Sequence, residues 1–303
     1  MSQAQIMFQE PLGEAVLPPR VPEMDSILGK TFKVLDKGHV RVIDYMGTDE
    51  AIVQAARVSY GKGTKTPSDD ETLIRYLLRM RHSTPFEMCE IKLHVRIPMD
   101  HWRQWIRHRT ASVNEYSTRY SEAIEDKQQT LDFQWRAQSK SNKQGSGNYL
   151  DAEGMGFDLS QAEDRLHKSL TDEYNRRIRM GVANEQARKD LPLSTYTEAY
   201  WKIDLHNLMH FLSLRMDAHA QLEIRSYAEL IGHQVMARWL PMTWRAFFDY
   251  RIEAENFSGP ESRILVQLIR ENAPYSEVRE AAAGIKNKRE RQEFLDKLDI
   301  PDE

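Results

Sequence analysis

Phe86–Ile97 reads as a strand, and from Cys89 onward its side chains alternate strictly. Cys89, Ile91, Leu93, Val95 and Ile97 point one way, and Met88, Glu90, Lys92, His94 and Arg96 the other. Side chains of an extended strand fall on opposite faces with a period of two, so this run predicts a strand with one face on a core and a more polar second face. A helix would scatter the apolar set around its circumference. The alternation also assigns the lone cysteine: Cys89 reads as a small buried hydrophobe rather than a nucleophile. One cysteine in 303 residues further excludes an intramolecular disulfide scaffold, a cysteine zinc ribbon and an iron–sulfur ferredoxin.

Other elements arrange themselves around that strand. Thr31–Leu35 and Val40–Tyr45 predict a hairpin turning at Asp36-Lys37-Gly38. Helices are expected over Asp49–Val58, capped by Thr48, and over Ser68–Arg81, led by Pro67 and two acids. Pro98 should stop the strand, and Asp100 should cap a short helix, His101–Arg109. Helical spacing returns at Leu159–Met180 and Asn184–Lys189, Ser194–Ile203 alternates like a strand, and Asp204 opens a helical stretch to about Leu240. Residues 1–30, with four prolines and no periodicity, read as an arm outside the core. Residues 121–156 read as a polar, mobile surface insertion and 256–303 as a charged, solvated helical tail. The expected fold is a single α+β domain over 31–255, an antiparallel or mixed sheet with long helices packed around it.

Charge and hydropathy narrow the partners. With 42 Lys+Arg against 46 Asp+Glu the net charge is −4, which argues against general nucleic-acid binding. No apolar run approaches the roughly 18 residues of a membrane span, and the first residues lack the basic-then-apolar order of a signal peptide. A soluble, cytoplasmic protein is expected.

Three apparent motifs fail on inspection. Gly29-Lys30-Thr31 resembles the end of a phosphate-binding loop, but Met24 stands where the earlier glycine is required and the run leads into a strand. Gly61-Lys62-Gly63 is an isolated glycine pair with no dinucleotide-binding unit around it. His206 and His210 have a metal-binding i, i+4 spacing, but Asn207 stands where a zinc protease needs glutamate. A metal site that adds Asp217 or His219, and with it a metal-dependent hydrolase, stays open as an alternative.

The densest polar chemistry lies at Gln104–Tyr120, QWIRHRTASVNEYSTRY. Helical spacing would put Gln104, Arg107 and His108 on one face, with Trp102, Trp105 and Ile106 as the burying stripe. Arg109, Ser112, Asn114, Glu115, Ser117 and Arg119 follow. Guanidinium forks suit bidentate recognition of phosphate or of a pyrimidine carbonyl edge, and Glu115 could accept from a ribose hydroxyl or ring N–H. A phosphorylated-ligand site is the favoured reading over a solvated cluster. Ser117 has no evident base beside it and is better suited to binding phosphate than to nucleophilic attack. On the mostly apolar helix that opens at Asp204, Arg215 is either a structural ion pair with Asp217 or Glu223 or a cation aimed into a ligand cavity. Its neighbours in sequence do not separate these.

The run Arg107-His108-Arg109, seven residues and then Ser117, resembles the defining motif of the flavin-dependent thymidylate synthases. The likeness extends through His82-Ser83-Thr84-Pro85-Phe86-Glu87, Ala187-Arg188…Leu191-Pro192 and Leu212–Gln221, covering about residues 30–255. It implies that family's fold, a homotetramer with active sites shared between subunits, and reductive methylation of dUMP to dTMP. Methylenetetrahydrofolate would supply the carbon, and NADPH would supply electrons through FAD. By motif position, Arg107, His108, Arg109, Glu115, Asp204, Leu205, His206 and His210 would contact FAD, with Thr84 and His82 reaching it from a neighbouring subunit. Gln104, Trp105, Ile106, Arg107, Glu115, Tyr116, Ser117, Thr118, Arg119 and Arg188 would hold dUMP. Arg215 would face the uracil and favour its N3-deprotonated form. Two departures stand out: Thr118 occupies a place often held by glycine, and Asp204, His206 and His210 replace the Asn and Arg of other members. A nucleotide-binding protein without catalysis is the remaining alternative.

Overall fold

The structure is a computed structural model that describes residues 17–58, 67–119, 121–140, 145–150, 154–298 and 300. The Gly61–Gly63 pair lies outside them, as does most of the proposed arm. The expected hairpin forms from β1 (Thr31–Val34) and β2 (Gly38–Met46). The alternating run becomes β3 (Glu90–Pro98), after a single 3-10 turn at Phe86–Met88. Together with β4 (Ser112–Glu115) and β7 (Tyr196–Asp204) these make an antiparallel five-stranded sheet in the order β1-β2-β3-β7-β4. Ile91, Leu93, Val95 and Ile97 are buried, while Glu90, Lys92, His94 and Arg96 stay partly exposed and pair across the sheet: Lys202 with Glu90 at 2.9 Å and His94 with Glu198 at 2.9 Å.

Cys89 is fully buried, and its Sγ lies 3.7 Å from the carbonyl oxygen of Thr48. Gly47 turns there with φ 94°, and a Cβ on it would sit 2.5 Å from that sulfur, so the close approach requires glycine. Burial, with Asp49 nearby, pushes the thiol up to about 12. Such a thiol is not ionised near neutrality. Cys89→Ala is therefore expected to keep full turnover at a stability cost of about 1 kcal/mol; loss of dTMP formation in a folded variant would reverse the assignment.

Helices cover the buried face of the sheet. The N-terminal segment contributes α1 (Pro22–Asp25), where Met24 is fully buried and Ile27 nearly so in the main core. Met24, Ile27 and Leu28 thus dock this end of the expected arm on the core, because a few well-spaced apolar side chains suffice to anchor one turn. Then come α2 (Asp49–Arg57), whose cap Thr48 accepts from the Ala51 N–H, and α3 (Pro67–Arg79). The short α4 (Met99–Trp105) leads to β4. The expected polar surface insertion contains a hairpin, β5 (Arg136–Gln138) with β6 (Ser146–Tyr149), while residues 141–144 and 151–153 lie outside the described set. Trp135 fastens it by donating from Nε1 to Ser160 at 3.0 Å on α5 (Met155–Arg179). After α6 (Asn184–Ala187), β7 passes directly into α7 (Leu205–Arg215), capped as expected by Asp204, whose carboxylate accepts from the Asn207 N–H at 2.9 Å.

The single stretch expected to run to Leu240 is broken after Arg215. It resumes as α8 (Leu222–Leu230), a π-helical turn (Ile231–Met236) and α9 (Ala237–Trp239), and Pro241 starts α10 (Pro241–Phe247). The tail is not a solvated helix either. Helices α11 (Gly259–Asn272), α12 (Tyr275–Ala282) and α13 (Lys288–Lys297) enclose a small core of Ala282, Leu295, Leu298 and Ile300. Ion pairs tie α13 to α3, Arg79 to Glu293 at 3.0 Å and to Glu290 at 3.4 Å. Among the described residues, no helix is long and apolar enough to cross a membrane.

Candidate active site

The site is built where α4, β4 and α7 meet. Pro98 leaves β3 in extended conformation and is itself the residue before α4; Asp100 lies inside the first turn, its carboxylate accepting the His101 N–H at 2.8 Å. The helix stops at Trp105, so Gln104, Arg107 and His108 do not share a helical face as the spacing suggested. Packing ends it: Trp105 is fully buried with its ring 4.6 Å from Phe211, 5.1 Å from Trp201 and 5.9 Å from Tyr227, and the chain must turn there to pair β4 with β7. Trp102 is buried as expected, but Ile106 is 40% exposed. Arg107, His108 and Arg109 therefore sit in the turn, with both arginines exposed and His108 half-buried.

That turn closes over Arg215 at the end of α7. Arg215 donates from Nε to His108 Nε2 at 3.1 Å and from Nη2 to the carbonyl oxygen of Gln104 at 3.1 Å. A guanidinium cannot accept, so His108 Nε2 must be the acceptor and the imidazole proton sits on Nδ1. Burial, then the charges of Arg215 and His210, push His108 down to about 4, which keeps it neutral for this role. Neither Asp217 nor Glu223 pairs with Arg215: Asp217 holds His219 at 2.9 Å, and Glu223 holds Arg136 at 2.6 Å. Burial alone lowers the Arg215 pKa. Among the described residues Arg215 thus has no carboxylate partner, and it lines a cavity. That cavity, about 310 Å³, is walled by Arg107, His108, Arg109, Asn207, His210 and Arg215 among others.

The remaining residues of the motif lie elsewhere. The extended β4 carries the chain on the order of 10 Å along β7. Beyond it Arg188 bonds Thr118, Arg119 pairs with Glu185 at 3.4 Å, and Glu115 accepts from Thr197 at 2.9 Å. Tyr116 donates its hydroxyl to the Glu122 carbonyl at 3.0 Å, and the Ser117 hydroxyl accepts from the Arg119 N–H at 3.4 Å. None of Ser117, Thr118, Arg119 or Arg188 lines the cavity of Arg215. Two residues expected to touch ligand are core: Trp105 and Leu205 are fully buried, and Leu205 donates its N–H to the Cys89 carbonyl at 2.8 Å. His82, His206 and His210 meet in a second cavity of about 350 Å³, which adjoins the first through His210. Thr84 is exposed on the turn after His82.

Sequence reasoning passed over a buried polar relay behind the site. His101, 2% exposed, lies 2.6 Å from Asp100 and 3.6 Å from Glu223, and the Gln221 side chain sits 3.0 Å from it and 2.6 Å from the Gln104 side chain. Burial opposes the charge on His101, but the two carboxylates outweigh it and hold the imidazolium up at about 9. The only available signal was the i, i+2 pair of Gln221 and Glu223, which is too common to single out. Among the described residues no group of three or more His, Cys, Asp or Glu is placed to hold a metal ion, and Asp217 and His219 do not join His206 and His210.

Fold and site together describe an α+β protein whose arginines, uncompensated by carboxylates, face a cavity suited to an anion. The chain belongs to the Thy1 family, thymidylate synthase complementing protein, whose model matches residues 41–242. It is 47% identical over 286 residues to a flavin-dependent thymidylate synthase of Ehrlichia ruminantium (strain Gardel), covering 92% of this chain and 91% of that one. A flavin-dependent thymidylate synthase of Gluconobacter oxydans is 49% identical over 290 residues, covering 93% and 91%. Among solved structures, a UMP/dUMP methylase from Streptomyces cacaoi bound with 5-Br dUMP superposes with a TM-score of 0.65 at 32% identity, covering 73% of this chain and 98% of that one. The resemblance carried by the RHR-x7-S run is borne out.

Proposed function

We propose that this chain is a flavin-dependent thymidylate synthase, converting dUMP to dTMP with methylenetetrahydrofolate as carbon donor and NADPH as reductant, in the cytoplasm. The observation that carries the reading is Arg215: a half-buried guanidinium without a carboxylate, held by His108 and the Gln104 carbonyl inside the turn made by Arg107-His108-Arg109. The donor set fits a flavin dinucleotide, since arginines and Asn207 surround a cavity that needs an anion to balance it. Arg107, His108, Arg109, His206 and His210 would hold FAD together with His82, which shares a cavity with His206 and His210 in the same chain, and Thr84 would be offered to it by a neighbouring subunit. When bound and reduced, FAD supplies the hydride that completes the methyl group.

The protein's own work is electrostatic. Arg215 stabilises negative charge on the pyrimidine and so favours its N3-deprotonated, electron-rich form, and it is already oriented, so no reorganisation is needed as charge develops. Arg188, Thr118, Arg119, Ser117 and Tyr116 take the phosphate and ribose, Glu115 and Gln104 assist, and Cys89 takes no part. The separation of the Arg188 cluster from the Arg215 cavity within one chain supports a homotetramer in which two copies complete each site. So does β4, an edge strand with every side chain exposed.

One visible spectrum tests the reading. The purified chain should carry flavin absorbance that dithionite bleaches, or gain it on adding FAD, and should then form dTMP from dUMP. A colourless protein that gains nothing with FAD would sink it. Binding of dUMP without NADPH oxidation would leave the non-catalytic alternative standing, and loss of activity to chelators would revive the metal-dependent one.

A further inference from the structure

Two arginines outside the motif share the second cavity. Arg81 follows the end of α3, and Arg251 lies just beyond α10; with His82, His206, His210 and Phe247 they wall the space of about 350 Å³ that adjoins the Arg215 cavity. Nearby arginines are neutralised: Arg75 by Asp249 at 2.6 Å, Arg79 by Glu293 at 3.0 Å and Arg245 by Glu71 at 3.0 Å. Arg81 and Arg251 have no carboxylate among the described residues. Among the described residues Arg251 bonds the Leu78 carbonyl at 3.4 Å, and burial, then the charge of Arg81, depress its pKa. Like charges left together at a half-covered wall are unfavourable unless an anion joins them.

The backbone sharpens the point. Arg81 has φ 60°, and around it the Arg81 N–H bonds Leu78 and the His82 N–H bonds Leu77, the hydrogen-bonded closure of a helix end at which glycine is the favoured residue. An arginine there bears local strain for no packing return, since the side chain is exposed.

We propose that Arg81 and Arg251 form the anion-binding end of the flavin site and hold the diphosphate of the dinucleotide, while the Arg107–Arg109 turn and Arg215 serve the ring end. The proposal rests on the flavin reading above. It predicts a division of labour: the two residues contribute to binding only when the ligand carries phosphate.

The test uses the full chain freed of flavin and titrated with FAD and with riboflavin. Arg251→Gln and Arg81→Gly should each raise the Kd for FAD about tenfold, with a shallower salt dependence, and leave riboflavin binding unchanged. Arg81→Gly suits the left-handed backbone, so its melting temperature should hold or rise while FAD binding weakens, an opposition that a structural role would not produce. FAD binding equal to wild type in both variants would overturn the proposal. So would a normal Kd for FAD with a raised KM for NADPH, which would assign the anion to the reductant. If the unaltered chain itself fails to bind FAD, the flavin reading falls and this proposal falls with it.

Discussion

Arg215→Ala should lower dTMP formation by roughly 10²- to 10³-fold while the purified protein stays yellow, the scale seen when one preorganised charge-stabilising donor is removed. On the proposed assignment Arg215 faces the pyrimidine, whereas flavin retention would depend on the several groups around it. The variant also removes the donors to His108 and to the Gln104 carbonyl, so the turn carrying Arg107 and Arg109 loses its clasp. Arg215→Lys separates the two contributions. It keeps a charge but loses the planar fork that spans both acceptors, and should fall between alanine and wild type. Steady-state dTMP formation, read beside the flavin spectrum, decides it. Near-normal turnover in Arg215→Ala would end the catalytic assignment.

Trp105→Ala should cost about 3–5 kcal/mol of stability. The indole is fully buried and touches Trp201, Phe211 and Tyr227, which come from the sheet, α7 and α8, as well as Trp102 at 6.1 Å. Removing it opens a cavity bordered by three elements at once, none of which can close it without moving the others. Because Trp105 is also the last residue of α4, the damage should reach the site and raise KM for dUMP. The shift of the urea midpoint measures the first effect and Michaelis kinetics the second. A loss under about 1 kcal/mol would show that the aromatic cluster does not pin the turn.

Both predictions depend on geometry that the sequence reveals unevenly. The β3 alternation, the β1–β2 hairpin and the Thr48 and Asp204 caps were legible because each is decided by residues a few positions apart. The end of α4 was not. Nothing in Trp105-Ile106-Arg107-His108 breaks a helix locally, and the expected helix ran four residues too far; only the docking of Trp105 and the pairing of β4 stop it. Met24 escaped notice for a related reason: a single helical turn carries too short a pattern to register, yet its contacts place it in the main core.

The lone cysteine and the motif were settled by sequence alone. Period-two alternation put Cys89 on the buried face, and the RHR-x7-S run with its companions pointed to the family, because such features are short-range strings. What only the tertiary structure decided is where charge goes uncompensated. Arg215 and His108 lie 107 residues apart, and Arg81 and Arg251 come from different helices, so whether each guanidinium meets a carboxylate depends on which segments pack together. Composition summed the whole chain to −4. Packing paired arginines such as Arg75, Arg79, Arg136 and Arg245 with acids and left Arg81, Arg251, Arg107, Arg109 and Arg215 facing two adjoining cavities, since the Coulomb interaction falls with distance in space and takes no account of distance along the chain.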